Sequence, residues 1–141
     1  MKKKYYFVIF FLALAMFLSG CAGGVVTPAT DEAKIKSVIN EFCLAINDQN
    51  WSKTKSYCVY ESEAYYKVCY IEDEFDTLHL YCNVVTINYY IDILNVSIYG
   101  DYSEVYGYLT LVISACEDAY NNSGYFWQYL QKVGNTWKIY S

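Results

Sequence analysis

The feature that most constrains this chain is a change of residue pattern at Cys82. Before Cys82, apolar residues recur at helical spacing, and after it they alternate with polar residues over long runs. Helices followed by a run of antiparallel strands are typical of the α+β class, in which helices pack on one face of a bent sheet. The sequence therefore predicts an α+β domain over residues 31–141.

Two helices are expected at the start of this domain. The apolar residues of 31–49 fall on one helical stripe, and Thr30 can cap its amino end. Asn50 can cap a second, shorter helix over residues 51–58. Cys43 lies on the apolar stripe, so we expect it to be a small buried side chain.

The stretch from 59 to 81 is the hardest to read. A third short helix is expected around residues 64–70. The acidic cluster at 72–76 lacks the glycine turn and the distal glutamate of an EF-hand loop, so a solvated loop is expected there rather than a calcium site.

Runs rich in β-branched and aromatic residues predict four antiparallel strands, at 85–98, 105–116, 125–133 and 137–140. Turns are expected at 100–101, 121–124 and 134–135. The apolar positions change parity between Ile93 and Val96, which predicts a bulge near Asn95.

The first twenty residues differ from the rest. Three lysines, Lys2 to Lys4, precede an unbroken apolar run from Tyr5 to Leu18, which is the layout of a secretory signal. A spanning helix needs about 20 apolar residues, and this run is shorter. A cleaved signal is therefore favoured over a retained anchor.

The end of this signal resembles the lipobox of bacterial lipoproteins at each of its four positions, Leu18, Ser19, Gly20 and Cys21. The resemblance implies that the chain is cut before Cys21 and lipidated on that thiol. The expected organisation is a signal peptide at 1–20, a lipidated tether at 21–30 and the globular domain at 31–141. The acyl chains would hold the domain on the extracytoplasmic face of the cell membrane. An ordinary secreted protein with a free cysteine is the alternative.

The charge of the chain excludes one class of partner. Its formal net charge is −5 and it contains no arginine, and loss of the three signal lysines would make it more acidic. Nucleic-acid binding depends on clustered Lys and Arg, so no nucleic-acid partner is expected. Electrostatic adhesion to anionic headgroups is also disfavoured, which leaves the anchoring to the lipid.

Five cysteines remain besides Cys21, so at most two disulfides can form within one chain. They are Cys43, Cys58, Cys69, Cys82 and Cys116. Their spacing fits neither a zinc knuckle nor a Cys-x-x-Cys redox site, and it does not define the connectivity. No metal and no cofactor are expected.

Two segments resemble the NTF2-like, cone-shaped α+β family, which includes ketosteroid isomerase and SnoaL-like cyclases. One is the segment 47–55, which follows the first helix, and the other is the terminal hairpin at 130–139 with its Trp-x-Ile ending. A cystatin-like or other helix-on-sheet fold is also compatible. The family resemblance implies a concave sheet that helices close over a pocket, which can be empty, filled or used for dimer contacts.

Pocket candidates on the strands are Asp92, Trp127 and Tyr129. A slip of one residue in the final hairpin would exchange Phe126 and Leu130 for Trp127 and Tyr129 as lining residues. The chain has 18 tyrosines, which could form an aromatic pocket wall or simply fill the core and cover the sheet.

Enzymes of the family place a carboxylate, tyrosine or histidine inside the cone. Asp92 lies in mid-strand, where burial would raise its pKa, but alternation places it opposite the apolar face, so we expect it to be exposed. His79 is the only histidine. Because the sequence does not fix the register of the final hairpin, no catalytic residue is named.

Three functional hypotheses follow. The first is a membrane-tethered domain that binds a small apolar ligand or an envelope protein without catalysis. The second is an isomerase or hydratase that uses a pocket carboxylate or tyrosine. The third is a structural module that forms homodimers, which predicts a filled cone and an exposed apolar sheet face.

Overall fold

A computed structural model describes residues 29–141 of the chain. Its elements in chain order are α1 (Asp31–Asn47), α2 (Trp51–Ser56), α3 (Glu63–Tyr81), β1 (Val85–Tyr99), β2 (Tyr102–Ala115), β3 (Asp118–Val133) and β4 (Thr136–Ile139). The strands form one antiparallel sheet in the order β1-β2-β3-β4. The α+β prediction is confirmed. The signal peptide, Cys21 and nearly all of the tether lie outside the described residues.

The two predicted helix starts are confirmed by their caps. Thr30 Oγ1 accepts a hydrogen bond from the Ala33 N–H at 3.2 Å, and Asn50 Oδ1 accepts one from the Lys53 N–H at 3.0 Å. The apolar stripe of α1 packs into the core, where Cys43 is buried. No helix within residues 29–141 is both long enough and apolar enough to span a membrane.

The third helix is much longer than the sequence pattern predicted. It begins after Ser62, whose Oγ accepts the Tyr65 N–H at 3.3 Å, and it runs through the acidic cluster to Tyr81. The loop expected at 72–76 was therefore wrong. Phe75 is buried while its acidic neighbours face outward, and Glu72 pairs with Lys55 at 2.7 Å. The apolar period of the helix continues through the cluster because acidic side chains can occupy the solvent side.

The sheet has two unlike faces. The inner face packs against α1 and carries the alternating apolar residues of β1, namely Val85, Ile87, Tyr89, Ile91 and Ile93, with their partners on β2. The outer face is largely exposed. The register shifts between Ile93 and Asn95, so the predicted bulge is confirmed. The sheet is strongly curled into a half-barrel.

One turn lies elsewhere than expected. Residues 121–124 are inside β3, and the chain reverses at Cys116, which has a φ of 57°. A disulfide joins Cys116 to Cys82 at the end of α3. The turn prediction at 121–124 was wrong because this half of β3 is largely exposed, so small and polar residues can pair in a strand there.

The other cysteines of the described part are free. Cys43 and Cys58 are buried and Cys69 is half-buried. Burial raises the pKa of the Cys43 and Cys58 thiols to about 12. Both thiols are therefore protonated at neutral pH and behave as small hydrophobes.

Gly107 lies on β2 between Ile93 of β1 and Phe126 of β3. A Cβ on Gly107 would lie 2.7 Å from the Asp92 backbone oxygen and 2.8 Å from Cε1 of Phe126. Gly107→Ala is therefore expected to lower the free energy of unfolding by about 1–3 kcal/mol, as measured by urea denaturation. Gly124→Ala is the matched control, because a Cβ there meets no atom within 4 Å. Equal midpoints for the two variants would contradict the close packing at Gly107.

An ion pair fastens the start of α1 to the terminal hairpin. Lys132 Nζ lies 2.9 Å from the Asp31 carboxylate and 5.6 Å from the centre of the Trp137 ring. The hydrogen bond from Lys132 and the proximity of the Trp137 N–H lower the pKa of Asp31. Trp137 Nε1 itself has no hydrogen-bond partner of good geometry among the described residues.

This lowered pKa predicts a pH dependence. Because the folded state holds the Asp31 proton less tightly than the unfolded chain, the pair stabilises the fold above the unfolded pKa of about 4 and loses its effect as the pH falls through the folded value. Asp31→Asn should lower the melting temperature slightly at pH 7 and leave it unchanged near pH 2. Glu32→Gln, which removes a more exposed pair with Lys36, should have a smaller effect at pH 7. An Asp31→Asn deficit that persists unchanged in acid would contradict this assignment.

Candidate ligand pocket

A pocket of about 240 Å³ lies between α1, α3 and the inner face of the sheet. Helix α1 contributes Phe42 and Ile46, and α3 contributes its Ala64 to Ile71 face. The remaining lining residues are Tyr89, Leu109, Phe126, Trp127, Gln128, Ile139 and Ser141. Most of this wall is apolar, so a ligand inside would exchange water for hydrocarbon contacts.

Few polar side chains line the pocket. Lys67 stands at the rim, where its ammonium pairs with Glu63 at 2.8 Å. The Gln128 amide donates to the Ser141 backbone carbonyl. The Tyr89 hydroxyl takes part in none of the hydrogen bonds found among residues 29–141, and burial raises the pKa of this phenol above its usual range. Tyr89 is therefore a neutral hydrogen-bond donor beside an apolar cavity.

The backbone of Tyr89 is held by Asn47, the last residue of α1. Asn47 Nδ2 donates to the Tyr89 carbonyl at 3.1 Å, and its Oδ1 accepts the Tyr89 N–H at 2.5 Å. Two residues later, Gln49 Nε2 donates to the Val85 carbonyl at 2.8 Å, and its Oε1 lies 2.9 Å from Nε2 of His79. These amides fix β1 against the end of α1 and so position the Tyr89 ring. They lie in the 47–55 segment that resembles NTF2-like proteins.

The predicted pocket candidates lie in different places. Asp92 is exposed on the outer face, directly across from Tyr108. Trp127 borders the pocket, but its ring packs on Tyr106 of the outer face, with centroids 4.7 Å apart. Tyr129 lies on the outer face, in a second pocket. The structure thus does not bring these three side chains together in one cavity.

The residues that do form the wall were mostly missed by the sequence reasoning. Phe42 and Ile46 belong to the apolar stripe predicted for 31–49, and Tyr89 belongs to the predicted strand 85–98, but none of the three was predicted to line a pocket. Phe126, which the hairpin register left open, lines the pocket. Leu130 is fully buried, so in the structure Leu130 and Phe126, four residues before it, both face the inner side of β3.

The wall contains no carboxylate side chain and no histidine. Within residues 29–141, no three His, Cys, Asp or Glu residues group closely enough to hold a metal ion. The chemistry that this lining offers is burial of apolar surface, with hydrogen-bond donation from Tyr89 and Lys67.

No protein-family model matches the chain. No curated protein matches its sequence. Solved structures do match it in fold. An NTF2-like protein of unknown function from Shewanella oneidensis superposes with a TM-score of 0.60 at 11% identity, over 78% of this chain and 94% of that one.

Two further structures carry functional descriptions of their own. A candidate dehydratase of the NTF2-like family from Streptomyces avermitilis has a TM-score of 0.60 at 12% identity, over 82% of this chain and 94% of that one. The β subunit of benzoate 1,2-dioxygenase from Burkholderia mallei has a TM-score of 0.63 at 11% identity, over 80% and 88%. The likeness is one of fold, and the fold of this chain is the NTF2-like cone.

Proposed function

We propose that this chain is a lipid-anchored extracytoplasmic protein whose NTF2-like domain binds a small apolar ligand, without catalysis, in the pocket between α1, α3 and the sheet. The observation that carries the proposal is the composition of the pocket wall. It is apolar, and its two titratable side chains are Lys67 and Tyr89. General acid–base catalysis needs a group that titrates near the working pH, and the raised pKa of Tyr89 moves it away from that range.

The size of the pocket restricts the ligand. Its volume of about 240 Å³ is below the range of roughly 300–1,000 Å³ that is usual for drug-sized ligands, so a compact molecule fits better than a long acyl chain. A hydrogen-bond acceptor on that molecule would meet the Tyr89 hydroxyl. The ligand class is therefore a small ring or branched hydrocarbon with one carbonyl or ether oxygen.

Calorimetric titration with cyclohexanone, camphor and toluene tests this proposal. The two ketones should bind more tightly than toluene. Tyr89→Phe should weaken ketone binding about 3- to 10-fold, since one hydrogen bond is lost, and leave toluene unaffected. Leu109→Trp, which fills the cavity from the sheet side, should abolish binding of all three.

Asp92→Asn is the matched control, because Asp92 is exposed on the outer face. It should bind as the wild type does. The isomerase or hydratase alternative, which uses a pocket carboxylate or tyrosine, would gain support if Tyr89→Phe removed a turnover that the wild type performs. Absence of binding by all three probes, or an equal loss in Asp92→Asn and Leu109→Trp, would contradict the pocket as the ligand site.

The location outside the cytoplasmic membrane is supported by the Cys82–Cys116 disulfide, because such bonds persist in oxidising compartments. Cell fractionation tests the anchor. The wild type should sediment with membranes, and Cys21→Ser should be released into the soluble fraction. Retention of Cys21→Ser in the membrane would indicate an uncleaved signal anchor instead.

A further inference from the structure

A second pocket, of about 350 Å³, lies on the outer face of the sheet. Besides Ser103, Leu130 and Ser141, its lining consists of four tyrosines and one carboxylate from β1, β2, β3 and the residue after β4, namely Tyr99, Tyr102, Glu104, Tyr129 and Tyr140. Tyr99 pairs with Tyr102, and Glu104 pairs with Tyr129. The Tyr140 N–H donates to the Tyr129 carbonyl at 2.8 Å, which places these two residues side by side. The pairing directs all five side chains to one face.

The ring faces of these tyrosines are available to a ligand. In the neighbouring aromatic cluster, Tyr106 stacks on Tyr125 with ring centroids 5.6 Å apart and packs at a tilt against Trp127 with centroids 4.7 Å apart, so those rings cover one another. No such ring contact joins the four pocket tyrosines to each other within the described residues. Their exposed fractions are 63% for Tyr99, 55% for Tyr102, 41% for Tyr129 and 47% for Tyr140. The rings therefore border a gap.

The charge of the pocket is negative. Glu104 forms no salt bridge within residues 29–141, although six of the seven lysines in that range do. The seventh, Lys138, lines a different cleft beside Ser56 and Cys58. The faces of tyrosine rings are also electron-rich, so rings and carboxylate favour the same kind of ligand.

We propose that this outer-face pocket binds a small organic cation with an alkylated ammonium group. Such a group is attracted to the ring faces and to Glu104, and its methyl groups fill space between the rings. A neutral ligand would desolvate the carboxylate without compensation. A metal ion is disfavoured, because Glu104 is the only carboxylate side chain in the lining and hard cations need several oxygen ligands.

The occupant is a free small molecule rather than a lipid headgroup. Docking onto a bilayer would press the whole outer face, including the exposed Asp92, against an anionic surface, which is electrostatically unfavourable. The tyrosines and the carboxylate of this pocket lie on the face of the sheet opposite the inner pocket, although Ser141 borders both pockets.

Isothermal titration of the full domain with choline tests the inference, with 3,3-dimethyl-1-butanol as the uncharged isostere. Choline should bind at least tenfold more tightly than the isostere, since cation–π and carboxylate interactions act on the cation alone. Glu104→Gln and Tyr102→Leu should each weaken choline binding about 3- to 10-fold. Tyr90→Leu is the matched control, because Tyr90 is exposed on the same face but lies outside the pocket. It should bind choline normally.

Three results would overturn the proposal. Equal affinity for choline and its isostere would show a purely apolar site. Equal losses in Tyr90→Leu and Tyr102→Leu would show that the pocket is not the site. No heat of binding with choline at millimolar concentration would also overturn the proposal. Binding to phosphatidylcholine vesicles would then assign the outer face to a membrane, and a dimer that Tyr102→Leu dissociates would assign it to a second copy. Leu109→Trp should bind choline normally, which separates this result from failure of the inner pocket.

Discussion

Trp137→Ala should lower the free energy of unfolding by about 3–5 kcal/mol, the largest loss expected from a single substitution in this chain. Trp137 is among the fully buried side chains, and it lies in a strand of only four residues. Its ring is also 5.6 Å from the Lys132 ammonium that pairs with Asp31. Truncation therefore leaves a large cavity and loosens the attachment of α1 to the hairpin at the same time.

Trp137→Phe is the informative companion variant. It keeps an aromatic ring in the core and removes the indole N–H, which has no well-aligned partner among the described residues. Its loss should be clearly smaller than that of the alanine variant, since part of the volume remains and no polar group is left unpaired. Urea denaturation followed by far-ultraviolet circular dichroism measures both. A loss below about 1 kcal/mol for Trp137→Ala would contradict its place in the core.

The order of elements and the two sheet faces could be predicted because both depend on local periodicity. The β-rich run at 85–98 predicted β1, and the change of parity between Ile93 and Val96 located the bulge. Thr30 and Asn50 located two helix starts because capping is also a local interaction. In each case a few neighbouring residues carry the whole signal.

The errors arose where tertiary contacts outweigh local composition. The acidic residues after Ile71 read as a loop, yet burial of Phe75 extends α3 through them. The small and polar residues 121–124 read as a turn, yet they pair with β2 because the reversal occurs at Cys116. Both outcomes depend on which distant segment lies opposite, and a single sequence does not contain that information in its spacing.

The pockets were harder still to predict. The inner pocket is the space left between side chains from several elements. Its volume is small compared with the packed volume around it, so it depends on the detailed packing of those side chains. The sequence does not distinguish Tyr89 from the rest of the 18 tyrosines. The hydrogen bond from Asn47 to the Tyr89 backbone becomes visible only in the structure. The outer pocket depends on the register that places Tyr129 beside both Glu104 and Tyr140, and the hairpin sequence left that register open.

Removal of the Cys82–Cys116 disulfide should be the second large effect. The bond closes a loop with a sequence separation of 34 residues. By the chain-entropy estimate, a loop of this length contributes about 3–4 kcal/mol through its restriction of the unfolded state. The double variant Cys82→Ser/Cys116→Ser should lose about that much stability in urea, and the wild type should lose a similar amount when dithiothreitol is added.

Cys69→Ser is the control, because Cys69 is free and half-buried. It should unfold close to the wild-type midpoint and should lose the same stability as the wild type on reduction. If dithiothreitol left the wild-type midpoint unchanged, the bond would not constrain the unfolded chain. The disulfide ties the end of α3 to the β2–β3 turn, at the exposed end of the sheet. Its loss should therefore first increase amide hydrogen exchange in the paired residues next to that turn, before the Trp137 core is affected.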